Sequence, residues 1–281
     1  MAFTPVIPNS GLAGWSFLQR TIDRQEEVFA KSPDIARDIE YFQNNIQNIE
    51  TLDDLMQDRK ILKVALGAFG LGEEISKGAF VRKIIEEGTT ERSSFANRLN
   101  NPDYIELAET FNFEAGTLSL SDADIEKISS QYQRQNFEIE VGNVDETMRL
   151  ALNFQREIQD FVGQGLSENA GWFRLMGSVP IKTVLEGAFN LPQEFSALDV
   201  DKQKDILSDK AQKLFGGKTI EVFSDPEAVE KVINDYLLRE QINAGPSQST
   251  PGFAALSILG QSNSGSGVGT SGLFNLLLSN G

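Results

Sequence analysis

The chain has 281 residues, 40% of them hydrophobic and 23% charged, which is enough apolar material for a sizeable core. Its 41 acidic and 25 basic residues give a formal charge of −16, the wrong sign for a protein whose role is to grip nucleic-acid phosphates. The absence of cysteine and histidine removes disulfide frameworks, Cys/His metal centres and every nucleophile that depends on a histidine base.

The charge is confined to the middle. Residues 1–19 carry none, the first charged side chain being Arg20. This opening segment lacks the basic start and continuous apolar run of a secretory signal. Its Trp15, Phe17 and Leu18, flanked by Gly11 and Gly14, fit two readings: a docking handle for a partner, or a flap folded back onto the body.

From residue 20 onward the pattern is helical. Ser32-Pro33-Asp34 has the cap, the first-turn proline and the acid of a helix start, and Ile35, Ile39, Phe42 and Ile46 follow in helical phase. Thr51 and Asp54 have capping-box spacing. Ile61, Ala65, Leu66, Ala68 and Phe69 form a broad apolar stripe, Asn101-Pro102-Asp103 opens a helix bearing Tyr104, Leu107 and Phe111, and Ser121 caps one bearing Ile125, Ile128 and Tyr132. QNFEIEV (135–141) alternates like a strand, but it lies between long helical patterns, so helix or turn is expected, with a break at Gly142-Asn143. Leu150, Phe154, Ile158 and Phe161 mark a further helix, Trp172 follows Gly171 as a core aromatic, and Asp225-Pro226-Glu227 starts a last helix running to about Glu240.

Residues 241–281 again carry no charge and hold eight glycines and eight serines. Such a composition offers little apolar surface to offset its ordering entropy, so flexibility is expected in the chain alone. Two apolar islands interrupt it, 253–259 with Phe253, Leu256 and Ile258, and 273–278 with Leu273, Phe274 and Leu276. These residues are the candidate contacts for a partner.

An internal repeat stands out. ILKVALGAFGLGEEI (61–75) and IKTVLEGAFNLPQEF (181–195) share seven of fifteen residues at a constant offset of 120. An interior helical glycine costs about 1 kcal/mol against alanine, so Gly67 and Gly187 are expected where another helix backbone approaches closely. The expected organisation is an all-α protein made of a duplicated helical module: an uncharged, flexible N-terminal segment (1–19), a first repeat (20–120), a connecting helix and break (121–146), a second repeat (147–241) and a flexible tail (242–281).

No chemistry-bearing motif is complete. Asp122-x-Asp124-x-Glu126 begins like a calcium loop, but Lys127 stands where the turn glycine belongs. Gly70-Leu71-Gly72 lacks both a preceding strand and a third glycine, since Ile75 takes its place. Glu86, Glu87, Asp199 and Asp201 offer carboxylates without any sign of a shared cleft. No catalytic residue, metal site or cofactor is expected, and no stretch is long and apolar enough to cross a membrane.

SGLAGWSFLQRTIDRQ (10–25), DRKILKVALGAFGL (58–71) and GWFRLMGSVPIKTVLEGAFNLP (171–192) together resemble an uncharacterised family of alphaproteobacterial proteins. That family carries a domain-of-unknown-function label and is often encoded beside flagellar genes. The resemblance spans roughly residues 10–260 and supplies no catalytic residue. It implies a place in the flagellum: a non-enzymatic structural or interaction protein, passed through the flagellar export apparatus, whose termini order on assembly with flagellar components or with itself. The alternative is a cytoplasmic, acidic helical adaptor or chaperone-like module for flagellar clients.

Overall fold

Proline stands in the first turn of four helices, where its missing N–H costs nothing. The side chains ahead of it do part of the work. Asn101 accepts the Asp103 N–H at 2.8 Å, and Asp225 accepts the Glu227 N–H at 3.0 Å. Ser32 has the extended backbone of a cap, but its hydroxyl makes no capping bond. Thr51 with Asp54, and Ser121 with Asp124, form reciprocal capping boxes.

The computed structural model describes residues 3–113, 116–163 and 165–245. Among these the protein is all-α, with no strand. The helices are α1 (Gly11–Ala30), α2 (Pro33–Asn45), α3 (Leu52–Gln57), α4 (Arg59–Ala68), α5 (Gly78–Glu87), α6 (Phe95–Leu99) and α7 (Pro102–Thr110). They continue as α8 (Asp122–Val144), α9 (Glu146–Phe161), α10 (Glu168–Gly177), α11 (Val179–Ala188), α12 (Val200–Phe215) and α13 (Pro226–Ala244). Of the tail expected to be flexible over 242–281, residues 242–244 instead continue α13 to Ala244, and 246–281 lie outside the described residues.

Two sets of three helices carry the core. In one, α4 packs on α2 and α8; in the other, α11 packs on α9 and α13. The long helices α8 and α9 lie against each other and join the sets, while α1 rests on α8, α9 and α13. The repeat segments thus occupy like places, as the GAF-bearing helices α4 and α11 at the centre of each set. A 3₁₀ turn follows each, Gly72–Ser76 and Gln193–Ala197.

The QNFEIEV stretch is part of α8, and its phase is helical: Phe137 and Val141, four apart, are fully buried, while Ile139 is 48% exposed. Gly142 does not break the helix. The break comes at Asp145, whose carboxylate accepts the Thr147 and Met148 N–H groups at 2.9 and 3.3 Å and so starts α9.

The N-terminal segment is not the free arm expected of a charge-free end. From residue 3 to residue 19 it is built into the body. Gln25 of α1 clasps the Val6 backbone, accepting its N–H at 2.7 Å and donating to its carbonyl at 3.2 Å. The Phe3 ring lies 5.2 Å from Phe29 and 6.0 Å from Phe137. An uncharged segment is as well suited to a core as to a partner, and here the core claims it.

Candidate functional site

The sequence candidates separate into three groups. Trp15 is 6% exposed and Leu18 is fully buried, so both belong to the core, and Phe17 is half-buried beside them. They are therefore not an open handle; burying side chains of this size stabilises the fold by about 1.5–3 kcal/mol each. Phe253, Leu256, Ile258, Leu273, Phe274 and Leu276 lie outside the described residues.

Gly67 and Gly187 each face a tyrosine ring, not a helix backbone. A Cβ on Gly67 would sit 2.7 Å from Cδ2 and Cε2 of Tyr132, and one on Gly187 would sit 2.7 Å from Cδ2 of Tyr236. One turn on from each ring lies a polar side chain, Asn136 and Glu240 respectively. The Tyr132 hydroxyl donates to Asp38 of α2 at 2.8 Å. Burial and that carboxylate push its pKa well above the ordinary tyrosine value. Both tyrosines are structural, closing the α4–α8 and α11–α13 seams.

A cavity rich in titratable groups was not visible in the sequence. It is a cleft of about 270 Å³ between α7, α8, α9 and α10, floored by Phe69 and Phe161. Its walls bring together Asp103, Glu106 and Glu109 of α7, Gln131 and Gln135 of α8, Arg156, Glu157 and Asp160 of α9, and Arg174 of α10. Behind it, Arg156 makes a two-pronged ion pair with the buried Glu138, Nε to Oε1 at 2.7 Å and a terminal nitrogen to Oε2 at 3.0 Å. The same guanidinium reaches Glu157 at 3.3 Å. Glu157 also accepts from the Asn153 amide at 2.7 Å and the Ser178 hydroxyl at 3.4 Å.

The local sequence explains each position. Asp103 sits in the first turn of α7 because the Asn101 cap and Pro102 start the helix there. Glu138 falls one residue after Phe137 on the buried face of α8, and Arg156 sits between the inward Phe154 and Ile158 of α9. With Arg156 held by Glu138, burial governs three of the carboxyl groups around it. Burial, reinforced by Glu157, pushes Asp103 up to about 7. Burial also raises Glu157, against the pull of Arg156, and raises Asp160. The cleft thus gathers five carboxyl and two guanidinium groups, and its burial favours the protonated form of Asp103.

The carboxylates singled out beforehand do other work. Glu87 accepts the Phe95 N–H at 2.6 Å at the start of α6, and Asp199 caps α12 through the Asp201 N–H at 3.0 Å. Asp124, the second acid of the calcium-like run, is the capping partner of Ser121. Among the described residues, no group of three or more carboxylates is arranged to hold a metal ion, and no helix is long and apolar enough to cross a membrane.

Comparison with known proteins places these features in a lineage. A family model described as "Protein of unknown function (DUF1217)" matches residues 68–229, from the end of α4 into α13, and so contains the whole lining of the cleft. A crystal structure of an Agrobacterium tumefaciens protein, solved in a structural-genomics programme, superposes with a TM-score of 0.68 at 26% identity. The match covers 87% of this chain and 100% of that one. No curated protein was found to match the chain.

Proposed function

Because the chain belongs to the DUF1217 family, we propose that it is a non-enzymatic, flagellum-associated interaction protein whose charge-free C-terminal segment makes the functional contact. The observation that carries this reading is the segregation of charge. The last charge of the folded acidic body is Glu240, and the following 41 residues hold two apolar islands and no charge. An acidic body resists non-specific association, while an uncharged apolar segment can be buried against a partner without desolvating ions. The Agrobacterium tumefaciens relative supports the alphaproteobacterial side of the resemblance.

The partner in this reading is a flagellar component or a second copy, reached by export or by docking at the flagellar base. The N-terminal segment, already packed in the body, takes no part. The like positions of α4 and α11, each closed by a glycine–tyrosine seam, support the further proposal that the two helix sets arose by duplication.

Fractionation of a flagellated host tests the reading, with the protein blotted in cytoplasm, medium and purified hook–basal bodies, in parent and export-deficient strains. Recovery outside the cell or in basal bodies, lost without export and lost on deleting residues 246–281, is expected. Confinement to the cytoplasm in both strains would replace it with the adaptor reading.

A further inference from the structure

The surface where α13 ends has a feature that the proposed assembly role does not use. A shallow groove of about 560 Å³ runs between α1 and α13, walled by Leu12, Trp15, Ser16 and Gln19 on one side and by Glu230 and Asn234 on the other. Leu238 and Ile242 extend the i+4 ridge of α13 beyond Asn234 toward the chain's exit. They are 44% and 38% exposed, although neighbouring Tyr236 and Leu237 are buried. The groove carries Arg20 and Glu230 as its charged pair and Leu12 and Trp15 as its apolar part, and the exposed Leu238 and Ile242 lie one and two turns beyond Asn234 on α13. The two helices close together at the exit end, since Gln241 lies against Gly11.

The chain leaves the helix beside these exposed apolar residues. Gly245 adopts φ +72°, a turn that residues with a side chain rarely make. From there, eight residues lead to Phe253 and span up to about 26 Å when extended. Leu238 and Asn234 lie only about 10 and 16 Å back along the helix axis. Everything from Gln241 onward is uncharged, so this segment meets the exit end of the groove without stranding an ion. A tether this short sets a local concentration of ~1 mM, far above that of a second copy in a micromolar solution.

We propose that residues 253–259 of this chain, through Phe253, Leu256 and Ile258, fold back onto the α1–α13 groove and cover Leu238 and Ile242. The segment is then a built-in occupant that any partner has to displace. This goes beyond the assembly role and does not depend on it, because the contact forms within one chain.

The natural absence of cysteine makes the test clean. Asn234→Cys with Ser257→Cys is placed in the full-length chain, and Asn234→Cys with Ser271→Cys serves as the control for a more distant tail position. Both are oxidised at low micromolar concentration and resolved on non-reducing gels. The 234–257 pair is expected to close within single chains at least fivefold faster than the control. Adding Leu256→Asp and Ile258→Asp should reduce it to the roughly threefold advantage that its shorter tether alone gives, with circular dichroism unchanged. A ratio of about threefold or less, or cross-linked dimers in place of closed monomers, would overturn the proposal. Loss of flagellar localisation has no bearing on this readout, so the two proposals fail separately.

Discussion

Gly67 and Tyr132 meet so closely that a single added methyl group would lie 2.7 Å from two carbons of the tyrosine ring. Gly187 and Tyr236 repeat the relationship at 2.7 and 3.1 Å. Both glycines lie inside helices, where alanine is favoured by about 1 kcal/mol. The ring contact therefore outweighs propensity at the centre of each helix set.

Gly67→Ala is accordingly expected to destabilise the protein by about 1–2 kcal/mol, overpacking outweighing the gain in helix propensity. Urea unfolding followed by circular dichroism reads the difference. Combining it with Tyr132→Leu should cost less than the sum of the two single changes, because the smaller side chain makes room. A neutral Gly67→Ala would mean that the ring moves aside freely.

Arg156 and Glu138 tie α9 to α8 from inside the protein. Arg156→Leu leaves the Glu138 carboxylate buried without its partner and should cost about 3–5 kcal/mol at pH 7. The double variant Glu138→Leu/Arg156→Leu should recover most of that loss, since two apolar side chains replace two desolvated ions. A double-mutant cycle with little coupling would contradict a buried pair.

Asp103 makes stability depend on pH in a direction that can be worked out. Its folded pKa is raised to about 7 from the ordinary 3.8, so its contribution is complete below about pH 4 and is lost as pH rises through 7. Asp103→Asn, which resembles the protonated acid, should match the parent at pH 4. At pH 8 it should exceed the parent by about 1–2 kcal/mol, less than the full shift implies because the cleft admits water. Parallel curves for parent and variant from pH 4 to pH 8 would argue against a buried carboxyl.

Trp15 distinguishes a core aromatic from a docking handle. Trp15→Ala is expected to lower stability by about 3–5 kcal/mol, as truncating a buried large aromatic does. Thermal unfolding monitored by circular dichroism measures it. An exposed handle would shift stability by less than about 0.5 kcal/mol.

Much of the helical framework was legible in the chain. Caps, first-turn prolines and apolar phase are local properties, fixed within about one turn of the residues concerned, so the starts of α2, α3, α7, α8 and α13 were read from a few residues each. Repetition of the GAF segment likewise pointed to α4 and α11 as equivalent helices. The alternating stretch 135–141 was harder, because period-2 and period-3.6 patterns differ little over seven residues.

Sequence by itself determined that this protein is helical, where its helices begin, and that its charge is segregated between an acidic body and uncharged ends. Only the tertiary structure decided what those features meet. Trp15 and Leu18 are apolar whether they pack inward or outward, and the position of α1 against α8, α9 and α13 put them inside. Asp103, Glu157 and Arg174 lie on three helices up to 71 residues apart, and of these only Asp103 stood out in its own segment, as part of a helix start. Their cleft exists because the α8–α9 contact brings those helices together, and a raised pKa is a property of that enclosure. Burial and mutual approach are relations between distant segments, so local sequence carries no signal for them.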